Sequence, residues 1–194
     1  GNFSFSSPKL SYIRNATSGT SNQTYSSSET NSSAIRAQFE SGRFGSFGTI
    51  LRTFLFFDIS GAGVSTNITS LSLEVPGSGT TTSSVIPVAG SAWGGSGGTT
   101  SLTNAMYNDL NFSRAYASFT SSWSTGTNTF SLNNNAKSDA NSDGYLNVVL
   151  INYSNDYLNV APFSLNVSAG VTFKNTSSPI RLSLIHISEP TRQP

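Results

Sequence analysis

Short apolar runs, each closed by Gly, Pro or Asn, recur from residue 34 onward, and the clearest of them alternate strictly. In Leu71-Ser-Leu-Glu-Val75 the apolar side chains fall at every second position. Leu71, Leu73 and Val75 therefore share one face of an extended chain, and Ser72 and Glu74 share the other. A helix with about 3.6 residues per turn would scatter that set, whereas a strand buries it on one side. Runs of strand character cover residues 34–39, 49–59, 68–75, 83–89, 116–123, 129–132, 145–153, 163–167 and 170–173. Many short strands separated by turn residues predict an all-β fold: an antiparallel β-sandwich, jelly-roll-like, with one or two short helices.

Helical signals are few. Leu102, Met106, Tyr107 and Leu110 recur near the helical period after a Thr/Ser start, which predicts a helix over 101–110, and a second is expected over 134–140. Residues 90–100 hold five glycines and a single bulky side chain, Trp93, and read as a loop pinned by one aromatic. Residues 1–33 are rich in Ser, Thr and Asn, with only 10–13 reading as a short strand, and are expected to form a leader or linker ahead of a sandwich domain over 34–181. With no methionine and no basic-then-apolar leader at its start, the chain reads either as one whose signal was removed or, the favoured reading, as an internal piece of a longer protein.

Composition narrows the function classes. The 194 residues suffice for one domain with its own core. Lys+Arg number 10 against Asp+Glu 9, so the chain offers no basic field to nucleic acid or anionic lipid. Its apolar runs fall far short of the roughly 20 residues that span a bilayer as a helix, so no membrane insertion is expected. The 38 Ser, 21 Thr and 19 Asn make the surface neutral and rich in hydroxyl and amide groups. There is no cysteine, which excludes disulfides, thiolate metal sites and a cysteine nucleophile.

The single histidine, His186, lies within Leu182-Ser-Leu-Ile-His-Ile-Ser-Glu-Pro-Thr-Arg192. That run resembles the conceptual translation of a sequencing-library adapter found in assembled environmental DNA, which implies a non-native tail over 182–194. The residues themselves also read as a last strand over 180–187 with a polar end.

Three stretches carry a second resemblance. Arg52-Thr-Phe-Leu-Phe-Phe-Asp-Ile-Ser60 followed by Asn67-Ile-Thr-Ser-Leu-Ser-Leu-Glu-Val75 resembles the strand, loop and strand opening of DNRLRE-type β-sandwich modules and their viral relatives. Leu110-Asn-Phe-Ser-Arg-Ala-Tyr116 and Thr129-Phe-Ser-Leu132, continuing to Asn155-Asp-Tyr-Leu-Asn-Val-Ala-Pro162, are similar to segments of structural proteins of tailed phages and environmental viruses. Leu71 departs from the pattern, which often has a small residue there. The resemblance implies a carbohydrate-binding-like module of a virion or other extracellular surface, used for attachment, display or scaffolding and without catalysis.

Few residues read as chemistry. Gly94-Gly-Ser-Gly-Gly98 has the letters of a nucleophile elbow but lacks the strand and helix that would strain it. Asp139, Asn141 and Asp143, with Gly144 sixth, have the oxygen-ligand spacing that opens a calcium loop, although Leu150 stands where such a loop needs a glutamate. The same residues also suit a plain helix-to-strand turn. No other cofactor is suggested. Sugars stack their C–H faces on aromatic rings, which makes Trp93, Tyr107, Tyr153 and Tyr157, with Asp156 in the turn between the last two, the candidate ligand-binding residues; each aromatic equally suits a core. The expected partners are glycans or neighbouring virion or surface subunits. The alternatives are a secreted polysaccharide-active enzyme or its carbohydrate-binding module, which needs two carboxylates flanking a sugar bond, and a purely structural scaffold subunit.

Overall fold

The structure, a computed structural model, describes residues 2–6, 9–18, 22–30, 34–41, 47–60, 68–77, 84–90, 109–119, 126–158, 168–174 and 180–186. Side chains are described over 52–60, 68–77, 84–90, 109–119, 126–153, 156–158 and 180–185. These residues form β1 (Asn2–Ser6), β2 (Lys9–Ser18), β3 (Asn22–Thr30), β4 (Ala34–Ser41), β5 (Phe47–Asp58), β6 (Ile68–Pro76), β7 (Val85–Gly90), β8 (Leu110–Ala115), β9 (Thr127–Ser131), β10 (Tyr145–Asn152), β11 (Ser168–Lys174) and β12 (Arg181–His186). One helix, α1 (Asn134–Asp143), precedes β10, and a π-helical turn (Tyr153–Tyr157) follows it. No helix among the described residues is long and apolar enough to cross a membrane.

Two antiparallel sheets make the sandwich. The smaller has the order β1-β12-β6-β9; the larger runs β11-β4-β5-β10-β7-β8, with β2 on β5 and β3 on β2. β5, twelve residues long, organises the larger sheet because three strands pair along it. One edge carries β2, from Lys9↔Phe56 to Ser18↔Phe47. The other is shared by β10, from Tyr145↔Asp58 to Leu150↔Thr53, and β4, from Gln38↔Leu51 to Ser41↔Gly48.

The alternation read at residues 71–75 is realised: Leu71, Leu73 and Val75 are buried, while Ser72 and Glu74 keep partial exposure. They meet Leu55 and Phe57 of β5, Leu146, Val148 and Leu150 of β10, Phe130 of β9 and Leu182 and Leu184 of β12 in one core between the sheets. Ala136 and Ala140 of α1 join that core. β5 and β10 are also buried on their second face. Phe54, Phe56, Ile86, Val88, Val149 and Ile151 form a separate apolar layer on the outside of the larger sheet. Strands dry on both faces read as continuous apolar runs, as Phe54–Phe57 and Val148–Ile151 do.

α1 forms where the second helix was expected and runs three residues longer. Asn133 caps it, its side-chain oxygen accepting from the backbone N–H groups of Asn135 and Ala136 at 3.0 and 3.3 Å. Gly144 ends it at φ 73°, donating its N–H to the carbonyl of Ala140. The left-handed conformation is what requires glycine there, since nothing lies within 4 Å of the place a Cβ would take.

Four sequence readings meet a different structure. Residues expected as a leader supply β1, β2 and β3, each in ladder register with a partner strand. The C-terminal run that resembles a translated adapter supplies β12, which lies between β1 and β6. Ile180, Leu182 and Leu184 alternate into the core while Arg181 and Ile185 face out, so the last-strand reading is the one the fold adopts. Tyr116 to Phe119 do not continue a strand, because the Tyr116 N–H bonds the Pro87 carbonyl and its own carbonyl accepts from the Asn133 N–H. Asp109 is not helical and Leu110 begins β8, so the expected helix does not reach them; residues 101–108 of it, and the expected strand over 163–167, lie outside the described residues.

The core makes a stability prediction. Leu73→Ala is expected to lower the free energy of unfolding by about 2–5 kcal/mol, and Ser70→Ala, at an exposed site of the same strand, to change it by less than about 0.5 kcal/mol, both read by urea denaturation.

Candidate functional site: aromatic side chains on the outer sheet face

Arg52 shares the outward parity of Phe54 and Phe56 on β5, which puts a guanidinium into the outer apolar layer. The β5–β10 ladder runs to Thr53↔Leu150, so Arg52 lies where β10 gives way to the π-helical turn. That turn delivers Asp156. Arg52 Nε donates to Asp156 Oδ2 at 2.8 Å and its Nη2 to Oδ1 at 2.6 Å, a bidentate pair whose side chains are 10% and 2% exposed. Such a fork is strong and sets the orientation of both partners.

The pair anchors a run of rings. Phe119 stacks on Tyr153 with centroids 3.9 Å apart and planes 11° apart. Tyr153 stacks on Tyr157 at 5.5 Å and 20°. Tyr157 meets Phe112 edge-on at 5.8 Å and 70°, and its hydroxyl donates to the Phe112 carbonyl at 2.9 Å. The Arg52 guanidinium carbon stands 5.7 Å from the Phe112 ring centre, within cation–π range. Tyr153 and Tyr157 also pack against the outer apolar layer. Phe112, Phe119 and Leu158 are the large apolar side chains left wet here, at 39%, 43% and 50% exposure.

Of the ligand residues read from sequence, the structure brings together Tyr153, Asp156 and Tyr157. Asp156 is turned inward, its carboxylate committed to Arg52, and so acts as an anchor. Trp93 and Tyr107 lie outside the described residues. Phe112 and Phe119 were not singled out by sequence reasoning. A phenylalanine in a strand-like run reads as core, and no local signal distinguishes a wet ring from a dry one.

The calcium-spaced residues take another arrangement. Asp139, Asn141 and Asp143 stand on the last turns of α1, where Asn141 points some 200° round the axis from Asp139. Arg114 grips Asp139 with Nε at 2.9 Å and Nη2 at 2.7 Å, and the Tyr116 hydroxyl donates to Asp139 Oδ2 at 2.5 Å. The Asn141 side-chain oxygen accepts from the Ile68 N–H at 3.4 Å, and Asp143 accepts from the Ser142 hydroxyl at 3.0 Å. Among the described residues no group of three or more His, Cys, Asp or Glu side chains is arranged as metal ligands. Burial works to raise the Asp139 carboxyl, but the hydrogen bonds from Arg114 and Tyr116 outweigh it and hold the group below its ordinary value. Burial, with the Asp139 bond, raises the Tyr116 phenol. Asp58 is bonded by the Ser60 hydroxyl and N–H at 2.6 and 3.0 Å, which lower its carboxyl; its partner is the neighbouring turn, while Arg52 takes Asp156.

No protein-family model matches the chain, and no curated protein sequence matches it at a significant level.

Two measurements check these joints. Asp156→Ala takes the bidentate carboxylate from a buried guanidinium and is expected to cost about 3–5 kcal/mol of stability in chemical denaturation. For Asp139, a carboxyl depressed in the folded state contributes stability that is present above its ordinary pKa and lost as pH falls through the folded value. Asp139→Asn is therefore expected to be less stable than the natural chain at neutral pH, the two converging below about pH 4 when urea midpoints are compared across pH.

Proposed function

We propose that this chain is a non-enzymatic sandwich module of a virion or other extracellular surface that binds glycans through the aromatic side chains on its larger sheet. The observation that carries the reading is the four-ring run Phe119, Tyr153, Tyr157 and Phe112, ending in wet rings and seated on a rigid sheet. Sugars bind such sites by laying apolar C–H faces on aromatic planes while their hydroxyls reach polar neighbours. The low charge count supports the same reading, since a neutral surface of hydroxyls and amides suits hydrogen bonding to uncharged polymers. The two arginine-bound carboxylates described, Asp139 and Asp156, have structural partners, which favours a binding surface over acid–base chemistry at these positions. The resemblance to DNRLRE-type modules agrees with attachment or display as the setting.

Affinity electrophoresis through gels containing neutral polysaccharides, with a glycan array alongside, checks the reading. The natural chain is expected to be retarded in at least one gel. Tyr157→Ala should migrate freely while keeping its far-ultraviolet circular dichroism. A blank array together with unretarded migration in every gel would overturn it.

A further inference from the structure

We infer that the ligand is met by the outer face of Phe119, which Tyr153 and Tyr157 back from behind, and that this face takes a single uncharged pyranose unit with one C–H face clear of axial hydroxyls. The inference rests on the glycan-binding reading above and says which ring and which sugars are involved.

The ring geometry selects Phe119. At 3.9 Å and 11° from Phe119, Tyr153 has one face closed at van der Waals distance, leaving no gap for a ligand. Tyr157 follows on Tyr153 at 5.5 Å, with its hydroxyl committed to the Phe112 carbonyl. Phe112 meets Tyr157 edge-on and has the Arg52 guanidinium near its ring. The tyrosines are thus inner members of the run. Phe119 is 43% exposed although one face is covered, as expected of a ring whose other face is wet. Its segment is fixed from behind: the Tyr116 N–H holds the Pro87 carbonyl, and Asn133 donates through its backbone and side chain to the carbonyls of Tyr116 and Ala115 at 2.7 and 2.8 Å. Those bonds fix the start of its segment and the stack on Tyr153 orients the ring itself, which limits the entropy lost on binding.

The sugar class follows from the same side chains. A phenyl ring has no polar tip and recognises only a C–H face. An axial hydroxyl pointing at the ring would lose its water without gaining a partner. Uronates and sulfated sugars would need a counter-charge, but the Arg52 guanidinium and Asp156 carboxylate answer each other beneath the rings, at 10% and 2% exposure.

The test titrates the full chain by isothermal calorimetry and proton–nitrogen correlation spectra with cello-oligosaccharide, a neutral probe, and with oligogalacturonate, a charged one. The natural chain is expected to bind the neutral probe. Phe119→Ala should weaken that binding by about tenfold or more with an unchanged fold in its spectrum, Phe119→Tyr should restore it, and Ser70→Ala, at an exposed site of the smaller sheet, should leave it unaltered. Equal binding by Phe119→Ala and the natural chain would overturn the assignment to Phe119 and leave the glycan reading standing. Binding to oligogalacturonate alone would overturn the sugar class. Binding to neither probe, with a blank array, would remove the glycan reading and this inference with it.

Discussion

A guanidinium buried in an apolar layer costs several kcal/mol unless a carboxylate meets it in good geometry. Arg52 is in that position because β5 alternates: Leu55 and Phe57 turn inward to the core between the sheets, and Arg52, Phe54 and Phe56 turn outward. The answering carboxylate comes from Asp156, 104 residues along the chain. Only the strand order makes the two neighbours. β10 lies beside β5, its ladder runs to Thr53, and the chain leaving it must turn at once for Asp156 to reach Arg52. A tight π-helical turn does so, and the same five residues carry Tyr153 and Tyr157. The ion pair and the position of the rings are consequences of one register.

That dependence explains what could be read in the sequence. Leu71 to Val75 announces a half-buried strand because its period-two pattern is local, and the helix after Asn133 is announced by a cap and a terminal glycine. Within residues 9–18 only 10–13 read as a strand, and residues 22–30 carried no such sign. Their Ser, Thr and Asn content reads as loop, yet a strand needs only backbone groups to join a ladder, and the long free edge of β5 supplies them. The adapter-like C-terminal run was legible in one of its two readings, since Leu182 and Leu184 keep the alternation on which a strand depends.

The candidate site was half legible. An aromatic-flanked Asp in a turn marks a place where polarity and rings meet, and residues 153–157 have that pattern. The role of the Asp was not legible, because nothing local distinguishes a carboxylate that meets ligand from one that meets an arginine a hundred residues away. The spacing at 139, 141 and 143 misleads for a related reason. Alternate oxygen ligands converge when the chain wraps as a loop but diverge when it continues as a helix, and the cap at Asn133 with buried Ala136 and Ala140 favours the helix.

The two bidentate pairs have parallel roles. Arg114 with Asp139 joins β8 to α1, and Arg52 with Asp156 joins β5 to the turn after β10. A chain with so few charges therefore places four of them at internal joints, and the neutral surface suggested by its composition follows in part from where those charges are used. Partial burial shields both pairs from added salt more than an exposed pair would be, the Arg52 pair most of all. Attraction between distant charges can contribute little to recognition on such a surface. What remains are contacts that need close approach, ring faces and short hydrogen bonds, and these act only when the rings stand in fixed positions. The buried ion pair beneath the rings thus serves recognition by rigidity, and its own charge stays hidden from whatever binds above it.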